Sequence, residues 1–290
     1  MSSASFSLQS HLDGIYAETP RQYTLTARTL TEYQIWQSTF RGELLHLLNL
    51  EDRLPPPLTV EKLGSFDRTA YIEEKVAIDT GEGVKTPLYL LIPKHEPPYK
   101  PILVFHGHEP SAQYCLGNYP DAATAQANLA IDNNYAQSLA EAGYMVCLVE
   151  QRGFGERLTD QVTPRESRAC RQLAFFYLLH NRTLLGERVW DGMCAVTYLL
   201  LRTDIDGEPG CTGHSGGGAT ALWLSAIDPR IKTIVVSGYF NSFRGSILAV
   251  EHCECNYVPG ILELAEMGDL AALLAPRPFC ALNAEQDTIF

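Results

Sequence analysis

The residues 213–217, read as Gly-His-Ser-Gly-Gly, match the pattern G-x-S-x-G. They lie between a short predicted strand at residues 210–213 and a predicted helix at residues 217–226. A serine on such a tight strand-to-helix turn is held in strained backbone geometry with its hydroxyl exposed, and the flanking glycines avoid side-chain clashes. The motif therefore predicts that Ser215 is an acyl-transfer nucleophile. The alternative is a glycine-rich turn that only connects a strand to a helix.

A second segment at residues 106–108, read as His-Gly-His, directly follows a continuous apolar run at residues 101–105. When a nucleophilic serine lies on a strand-to-helix turn in a parallel sheet, the residue after the serine supplies one N–H group to the oxyanion hole. A loop that follows an earlier strand of the same sheet supplies the other. We therefore predict that the backbone N–H groups of His108 and Gly216 form the oxyanion hole. The imidazoles of His106 and His108 lie far upstream of the serine in the chain, and we do not expect them to act as bases.

A third segment with carboxylates, residues 283–287, follows the last predicted strand at residues 279–283. A carboxylate at this position holds a histidine in the correct tautomer and stabilises its charged form. Asp287 is the predicted acid and Glu285 the less favoured substitute, with an ordinary turn aspartate as the alternative.

Residues 151–155, read as Gln-Arg-Gly-Phe-Gly, follow another apolar run that ends at Val149. The two glycines permit a sharp exit from the sheet. We predict a structural role for Arg152, in an ion pair with Asp191 at the start of the next long helix. Solvent exposure of both side chains is the alternative.

These segments require a sheet that brings the ends of several strands together. Continuous apolar runs, typical of strands covered on both faces, alternate with helical patterns. The alternation predicts an α/β fold, a doubly wound and mostly parallel sheet. Apolar residues at three- and four-residue spacing in residues 32–50 predict an amphipathic helix. We therefore divide the chain into an N-terminal helical arm, residues 1–65, and a core, residues 66–290.

The acidic composition of the chain indicates which classes of macromolecule it does not bind. The 290 residues carry a net charge of −12, and such a surface repels phosphate backbones and anionic lipids. We therefore expect no nucleic-acid partner and no membrane partner. The N-terminus lacks the pattern of a secretory signal, and no run of about 18 apolar residues occurs, so a cytoplasmic location is predicted.

Eight cysteines lie mostly inside apolar runs, which is typical of buried thiols in a reducing compartment rather than of a disulfide framework. Residues 252–255, read as His-Cys-Glu-Cys, offer three possible metal ligands. No second ligand pair occurs at the spacing of a zinc site. The sequence therefore predicts no metal and no cofactor.

Taken together, these motifs resemble the α/β-hydrolase superfamily, most closely its acetyl xylan esterase-like and dienelactone-hydrolase-like branch. The resemblance spans residues 101–290 and includes the segments 252–260, 267–270 and 275–278. It implies a serine hydrolase that cleaves a small carboxylic ester, such as an acetyl ester, through an acyl-enzyme on Ser215. The alternatives are another acyl bond (lactone, thioester or amide) or a non-catalytic binding protein on this scaffold. The oligomeric state is left open.

The sequence departs from the family pattern at the catalytic histidine, which in the family follows the acid. Only residues 288–290 follow Asp287, and none is histidine. We therefore expect a chain truncated before the last strand and helix, which leaves the strand at residues 279–283 as an exposed sheet edge. The less favoured alternative is that His252 reaches the cleft from a lid. The aromatic residues within 238–267 would either roof an acyl pocket or serve as ordinary packing; they are Tyr239, Phe240, Phe243 and Tyr257.

Overall fold

The computed structural model describes residues 6–160 and 169–290. Its centre is an eight-stranded sheet. The strands are β1 Val60–Asp67, β2 Tyr71–Asp79, β3 Lys85–Pro93, β4 Pro101–Phe105, β5 Met145–Val149, β6 Gly210–His214, β7 Thr233–Ser237 and β8 Phe279–Leu282. Their order in the sheet is β1-β2-β3-β5-β4-β6-β7-β8. Strands β1 to β3 are antiparallel neighbours and β3 is antiparallel to β5, whereas β5, β4, β6, β7 and β8 run parallel. The predicted mostly parallel sheet is confirmed.

Helices connect the parallel strands and flank the sheet. They are α1 Gln9–Glu18, α2 Leu30–Leu47, α3 Ala122–Leu129, α4 Tyr135–Glu141, α5 Ala169–Leu178, α6 Leu184–Leu200, α7 Gly216–Ile227, α8 Ile261–Leu264 and α9 Met267–Ala272. Short 3-10 turns lie at Ala112–Tyr114, Gly155–Arg157 and Glu254–Asn256. Within the two described ranges, no helix combines the length and the apolar character needed to cross a bilayer.

The central strands are buried on both faces, as their continuous apolar sequences predict. In β4, Leu103 and Phe105 belong to the larger core cluster, whereas Val104 belongs to a second cluster on the opposite face. Helices α6 and α7 contribute to the larger cluster, and Ala136 and Ala140 of α4 contribute to the second. Since helices cover both faces, the sheet is doubly wound.

The predicted helix at residues 32–50 is α2, which begins at Leu30 and ends at Leu47. Thr29 and Glu32 form a capping box at its start, and this reciprocal bonding satisfies free N–H groups at the helix terminus. Phe40 and Leu44 enter the core. Strand β1 spans residue 65, where the sequence placed the boundary of the helical arm; the division into two units stays a prediction.

Candidate active site

Ser215 lies at the junction of β6 and α7, where the sequence places it. Its backbone has φ +53° and ψ −120°, a conformation that an L-residue rarely adopts and that costs of order 1–3 kcal/mol. The Ser215 N–H donates a hydrogen bond to the Ser237 carbonyl at 2.8 Å, which ties the strained turn to β7. The strain is held by surrounding contacts, as at many reactive residues.

The glycines around Ser215 are required by close backbone approaches. A Cβ atom on Gly213 would lie 2.3 Å from the Gly217 carbonyl oxygen. A Cβ on Gly217 would lie 2.2 Å from the Phe105 carbonyl oxygen. The first turn of α7 therefore packs against the end of β4 at a distance that only glycine permits.

The two predicted oxyanion donors lie on adjacent segments. A Cβ atom on Gly216 would meet the His108 ring at 2.6–2.8 Å, so the imidazole of His108 covers this glycine. In the described chain, neither the His108 N–H nor the Gly216 N–H donates to a protein acceptor. The pairing of these two N–H groups around one oxyanion stays a prediction.

His106 is fully buried and is not free to act as a base. Its Nδ1 donates to the Gly107 carbonyl at 2.9 Å, and its Nε2 accepts the Gln151 N–H at 3.1 Å, which fixes one neutral tautomer. The Gln151 side chain donates to the His106 carbonyl and accepts from the Thr220 hydroxyl at 2.7 Å. This chain of bonds connects the loop after β4, the loop after β5 and helix α7.

The ion pair predicted between Arg152 and Asp191 is confirmed. The guanidinium donates to both carboxylate oxygens at 2.9 and 2.8 Å, and both residues are buried. Arg157 donates to Asp191 at 2.6 Å, and Glu187 accepts from Arg152 at 2.6 Å. Although burial opposes it, the two guanidinium charges hold the pKa of Asp191 below its usual range.

The predicted acid, Asp287, lies in a turn in which its Oδ1 accepts the N–H groups of Ile289 and Phe290 at 2.8 and 3.1 Å. His252 is next to this turn, and its Nε2 is 3.2 Å from the Ile289 carbonyl oxygen. Burial lowers the pKa of His252, the charge of His108 adds to that effect, and the Ile289 carbonyl and the Asp287 carboxylate oppose it. Among residues 6–160 and 169–290, no imidazole is hydrogen-bonded to the Ser215 hydroxyl. The role of Asp287 stays a prediction.

The aromatic residues expected above the site serve mainly as packing. Tyr239 and Phe243 are buried in the core, and Phe240 packs edge-on against Phe279. Only Tyr257 is substantially exposed. A cavity of about 830 Å³ lies against β4, β6 and β7 and reaches His214, but Ser215 does not line it.

A cluster of three thiols and one imidazole lies next to this site, and sequence reasoning missed it. Its members are His108, Cys170, Cys253 and Cys255. The sequence offers Cys253 and Cys255 as possible ligands beside His252, but the His252 ring faces the Ile289 carbonyl. The missing partners come from distant parts of the chain, which no local spacing could indicate.

Comparisons with known proteins agree with this architecture. No family model matches the chain. It is 27% identical over 256 residues to the Bacillus subtilis (strain 168) protein named "Putative hydrolase YtaP", covering 86% of this chain and 81% of that one.

Solved structures give the same fold. The structure of a putative acetyl xylan esterase from Bacteroides fragilis NCTC 9343 superposes with a TM-score of 0.81 at 16% identity, covering 96% of this chain and 75% of that one. A glucuronoyl esterase from Solibacter usitatus superposes with a TM-score of 0.61 at 19% identity, covering 93% and 79%. Together with the strand order and the turn at Ser215, these likenesses establish that the chain has the α/β-hydrolase fold.

Proposed function

We propose that this protein is a serine hydrolase that cleaves a small carboxylic ester through an acyl-enzyme on Ser215. The observation that carries the proposal is the strained backbone of Ser215 at the strand-to-helix junction. A connecting turn has no need of this strain, whereas a nucleophile gains an exposed hydroxyl beside free N–H groups. The hydrolase and esterase names of the similar proteins support the same class.

In the proposed reaction, the Ser215 Oγ attacks the acyl carbonyl carbon and its proton passes to a general base, the role for which His252 is the candidate; the same imidazole then returns the proton to the departing alcohol. The N–H groups of His108 and Gly216 bind the oxyanion, and donors of this kind stabilise the charge that develops in the transition state. The C–O bond to the alcohol then breaks and the alcohol leaves with a proton. Water attacks the acyl-enzyme in the second half-reaction and releases the carboxylic acid.

The second candidate function is a non-catalytic binding protein on the same fold. The specific observation in its favour is that no imidazole in the described ranges is hydrogen-bonded to the Ser215 hydroxyl. Without a base, a serine hydroxyl is a weak nucleophile at neutral pH. The two functions therefore differ in the reactivity of one side chain.

A fluorophosphonate probe separates these functions, because it labels only an activated serine. We expect labelling that maps to Ser215 by peptide mass spectrometry, together with hydrolysis of p-nitrophenyl acetate. Ser215→Ala should abolish both, whereas Ser138→Ala, at an exposed serine of α4, should change neither. A folded protein that is neither labelled nor active in its wild-type form contradicts the hydrolase proposal and favours the binding protein.

The leaving group needs a separate comparison. Matched acetyl substrates with an ester, a thioester or an anilide leaving group should be assayed beside a small lactone. We expect the highest Ser215-dependent kcat/KM for the ester. A higher value for the lactone, thioester or amide would reassign the bond that is cleaved and leave the serine mechanism in place.

A further inference from the structure

The cluster of His108, Cys170, Cys253 and Cys255 brings together four side chains from three segments. They are the loop after β4, helix α5, and residues 253–255, which include the first part of the 3-10 turn Glu254–Asn256. The three sulfur atoms and an imidazole nitrogen all lie within 4.8 Å of one another. The Cys255 Sγ is 3.4 Å from the His108 Nε2.

Four ligand atoms within 4.8 Å of one another can converge on one tetrahedral zinc ion by side-chain movements of about 1 Å. With Zn–S bonds of about 2.3 Å and a Zn–N bond of about 2.0–2.1 Å, tetrahedral ligand atoms are separated by roughly 3.5–3.8 Å. The Cys255–His108 distance of 3.4 Å is close to this range. Three thiolates and one imidazole form a donor set that is typical of structural zinc.

The surroundings would keep water away from a bound ion. Cys170 and Cys255 are buried in a small apolar cluster that contains Phe154. The Phe154 ring also contacts the His108 ring edge-on, with centroids 5.5 Å apart. His108 is the exposed member, so the open side of the cluster faces the oxyanion loop.

A buried positive charge lies next to the thiols. Arg188 is 1% exposed, and its guanidinium donates to the Arg152 carbonyl and, at 3.1 Å, to the Cys170 Sγ. In the described ranges, no carboxylate forms an ion pair with Arg188, although Arg152 beside it has two. A buried guanidinium requires a compensating negative charge.

A zinc ion with three thiolates and a neutral histidine has a net charge of −1. Such a complex would neutralise Arg188 directly. Three protonated thiols would leave the guanidinium without a counterion, although one thiolate would suffice to balance it. Arg188 therefore requires an anionic cluster, and the approach of all four ligand atoms to one another points to a metal as the source of that anionic state.

We propose that His108, Cys170, Cys253 and Cys255 bind one Zn²⁺ ion in a closed, four-ligand structural site. Binding exchanges the thiol protons for the metal, with His108 contributing Nε2, and involves no change of oxidation state. The ion would anchor the loop that carries the His108 N–H to α5 and to the segment at residues 253–255. This proposal revises the sequence-based prediction of no metal. The two further ligands, His108 and Cys170, are far from Cys253 and Cys255 in the sequence and come close to them only in the folded chain.

The test is metal analysis of the full-length protein, purified without chelators from zinc-supplemented medium. We expect about one zinc per chain by inductively coupled plasma mass spectrometry. Cys255→Ser and Cys170→Ser should each reduce zinc occupancy at least tenfold. Cys280→Ser, at an exposed cysteine of β8 outside the cluster, is the matched control and should retain full occupancy.

A second readout on the wild-type protein covers the case in which a variant fails to fold. After removal of zinc, titration with Co²⁺ should produce the visible d–d and thiolate charge-transfer bands of a tetrahedral site, saturating at one equivalent. Absence of both zinc and these bands would overturn the proposal. So would a disulfide among the three cysteines, detected as a 2 Da mass decrease in freshly isolated protein, or equal zinc content in the cluster variants and the control. None of these measurements depends on ester hydrolysis.

Discussion

Two neighbouring regions at the carboxyl edge of the sheet differ in how their polar groups are satisfied. The elbow, residues 213–218, has a strained serine and helical N–H groups that find no protein acceptor among residues 6–160 and 169–290. The ion network, made of Arg152, Arg157, Glu187 and Asp191, is buried, and each charge has an opposite partner. In the elbow, backbone strain lies beside N–H donors that are free to bind a ligand, whereas in the ion network the buried charges are already paired with one another.

This difference separates groups available to a ligand from groups that hold the scaffold. Buried charges that are fully paired gain nothing from a further partner, whereas unpaired N–H groups at a helix start remain able to bind an oxyanion. Gln151 connects the regions, because it follows β5 immediately before Arg152 and bonds to both His106 and Thr220. Substitutions in the two regions should therefore change the unfolding free energy for different physical reasons: loss of charge pairing in the ion network, and steric clash or relief of strain in the elbow.

The largest effect on stability is expected for Asp191→Ala in the ion network. The change leaves the Arg152 and Arg157 guanidiniums buried without this carboxylate, which costs about 3–5 kcal/mol of unfolding free energy. Asp204→Ala is the matched control, since Asp204 also pairs with an arginine, Arg202, but their side chains are 19% and 29% exposed; a pair that keeps contact with solvent contributes less than a fully buried one. Urea unfolding measures both. Equal losses in the two variants would show that the network is not a rigid support.

The same carboxylate should govern acid stability. Its pKa in the folded protein lies below its value of about 3.9 in the unfolded chain. The contribution of Asp191 is therefore present above about pH 4 and is lost as the pH falls towards the folded-state pKa. Unfolding free energies measured at several pH values below 5 should fall more steeply for the wild type than for Asp191→Asn.

The next effect is expected in the elbow, for Gly217→Ala. The new Cβ would lie 2.2 Å from the Phe105 carbonyl oxygen, so backbone must move, at a cost of about 1–3 kcal/mol or more. Gly42→Ala in α2 is the control, because its Cβ would meet nothing within 4 Å and alanine favours the helix by about 0.5–1 kcal/mol. In denaturant unfolding, Gly217→Ala should lower the midpoint denaturant concentration and Gly42→Ala should raise it. A stable Gly217→Ala protein would contradict the close approach of α7 and β4.

The sequence predicts those elements of the fold that are buried, because burial leaves a pattern of apolar residues. The predicted strand at residues 101–105 coincides with β4, because every position is apolar and the flanking residues are not. The sequence did not predict β1, whose residues are nearly all exposed on a sheet edge and alternate little in hydrophobicity. Helix α1 was also missed, since it buries none of its residues.

The site was predictable where its geometry is local and not where it depends on tertiary contacts. The position of Ser215 follows from adjacent glycines and the strand–helix boundary, and Arg152 with Asp191 follows from two boundaries of that kind. The thiol–imidazole cluster joins Cys170 to Cys253 only after α5 packs against the 3-10 turn at residues 254–256. The spacing of apolar residues along the sequence does not indicate that α5 packs against this turn.

A smaller effect is expected at the connection between the two regions, for Thr220→Val. Valine keeps the shape but removes the hydroxyl that donates to Gln151 at 2.7 Å, leaving a buried acceptor unsatisfied at a cost of about 1–2 kcal/mol. Thr39→Val, at an exposed threonine of α2, should cost less than about 0.5 kcal/mol. Thermal unfolding compares them. If Thr220→Val is as stable as Thr39→Val, Gln151 does not couple the elbow to the ion network.

The smallest effect, and the most direct measure of strain in the elbow, is expected for Ser215→Gly. Glycine adopts the observed φ of +53° without a Cβ penalty. The relief of about 1–3 kcal/mol is partly offset by about 0.4–1 kcal/mol of additional entropy in the unfolded chain.

The net expectation for Ser215→Gly is stabilisation by about 1 kcal/mol, which for a chain of this size raises Tm by about 2 °C. Ser215→Ala is the decisive comparison, because it removes the same hydroxyl but keeps the Cβ and therefore the strain. Ser138→Gly within α4 should instead destabilise by about 0.5 kcal/mol, because glycine favours a helix less than serine does. If Ser215→Gly is no more stable than Ser215→Ala, the turn is relaxed, and the contrast between a strained elbow and a satisfied ion network no longer holds.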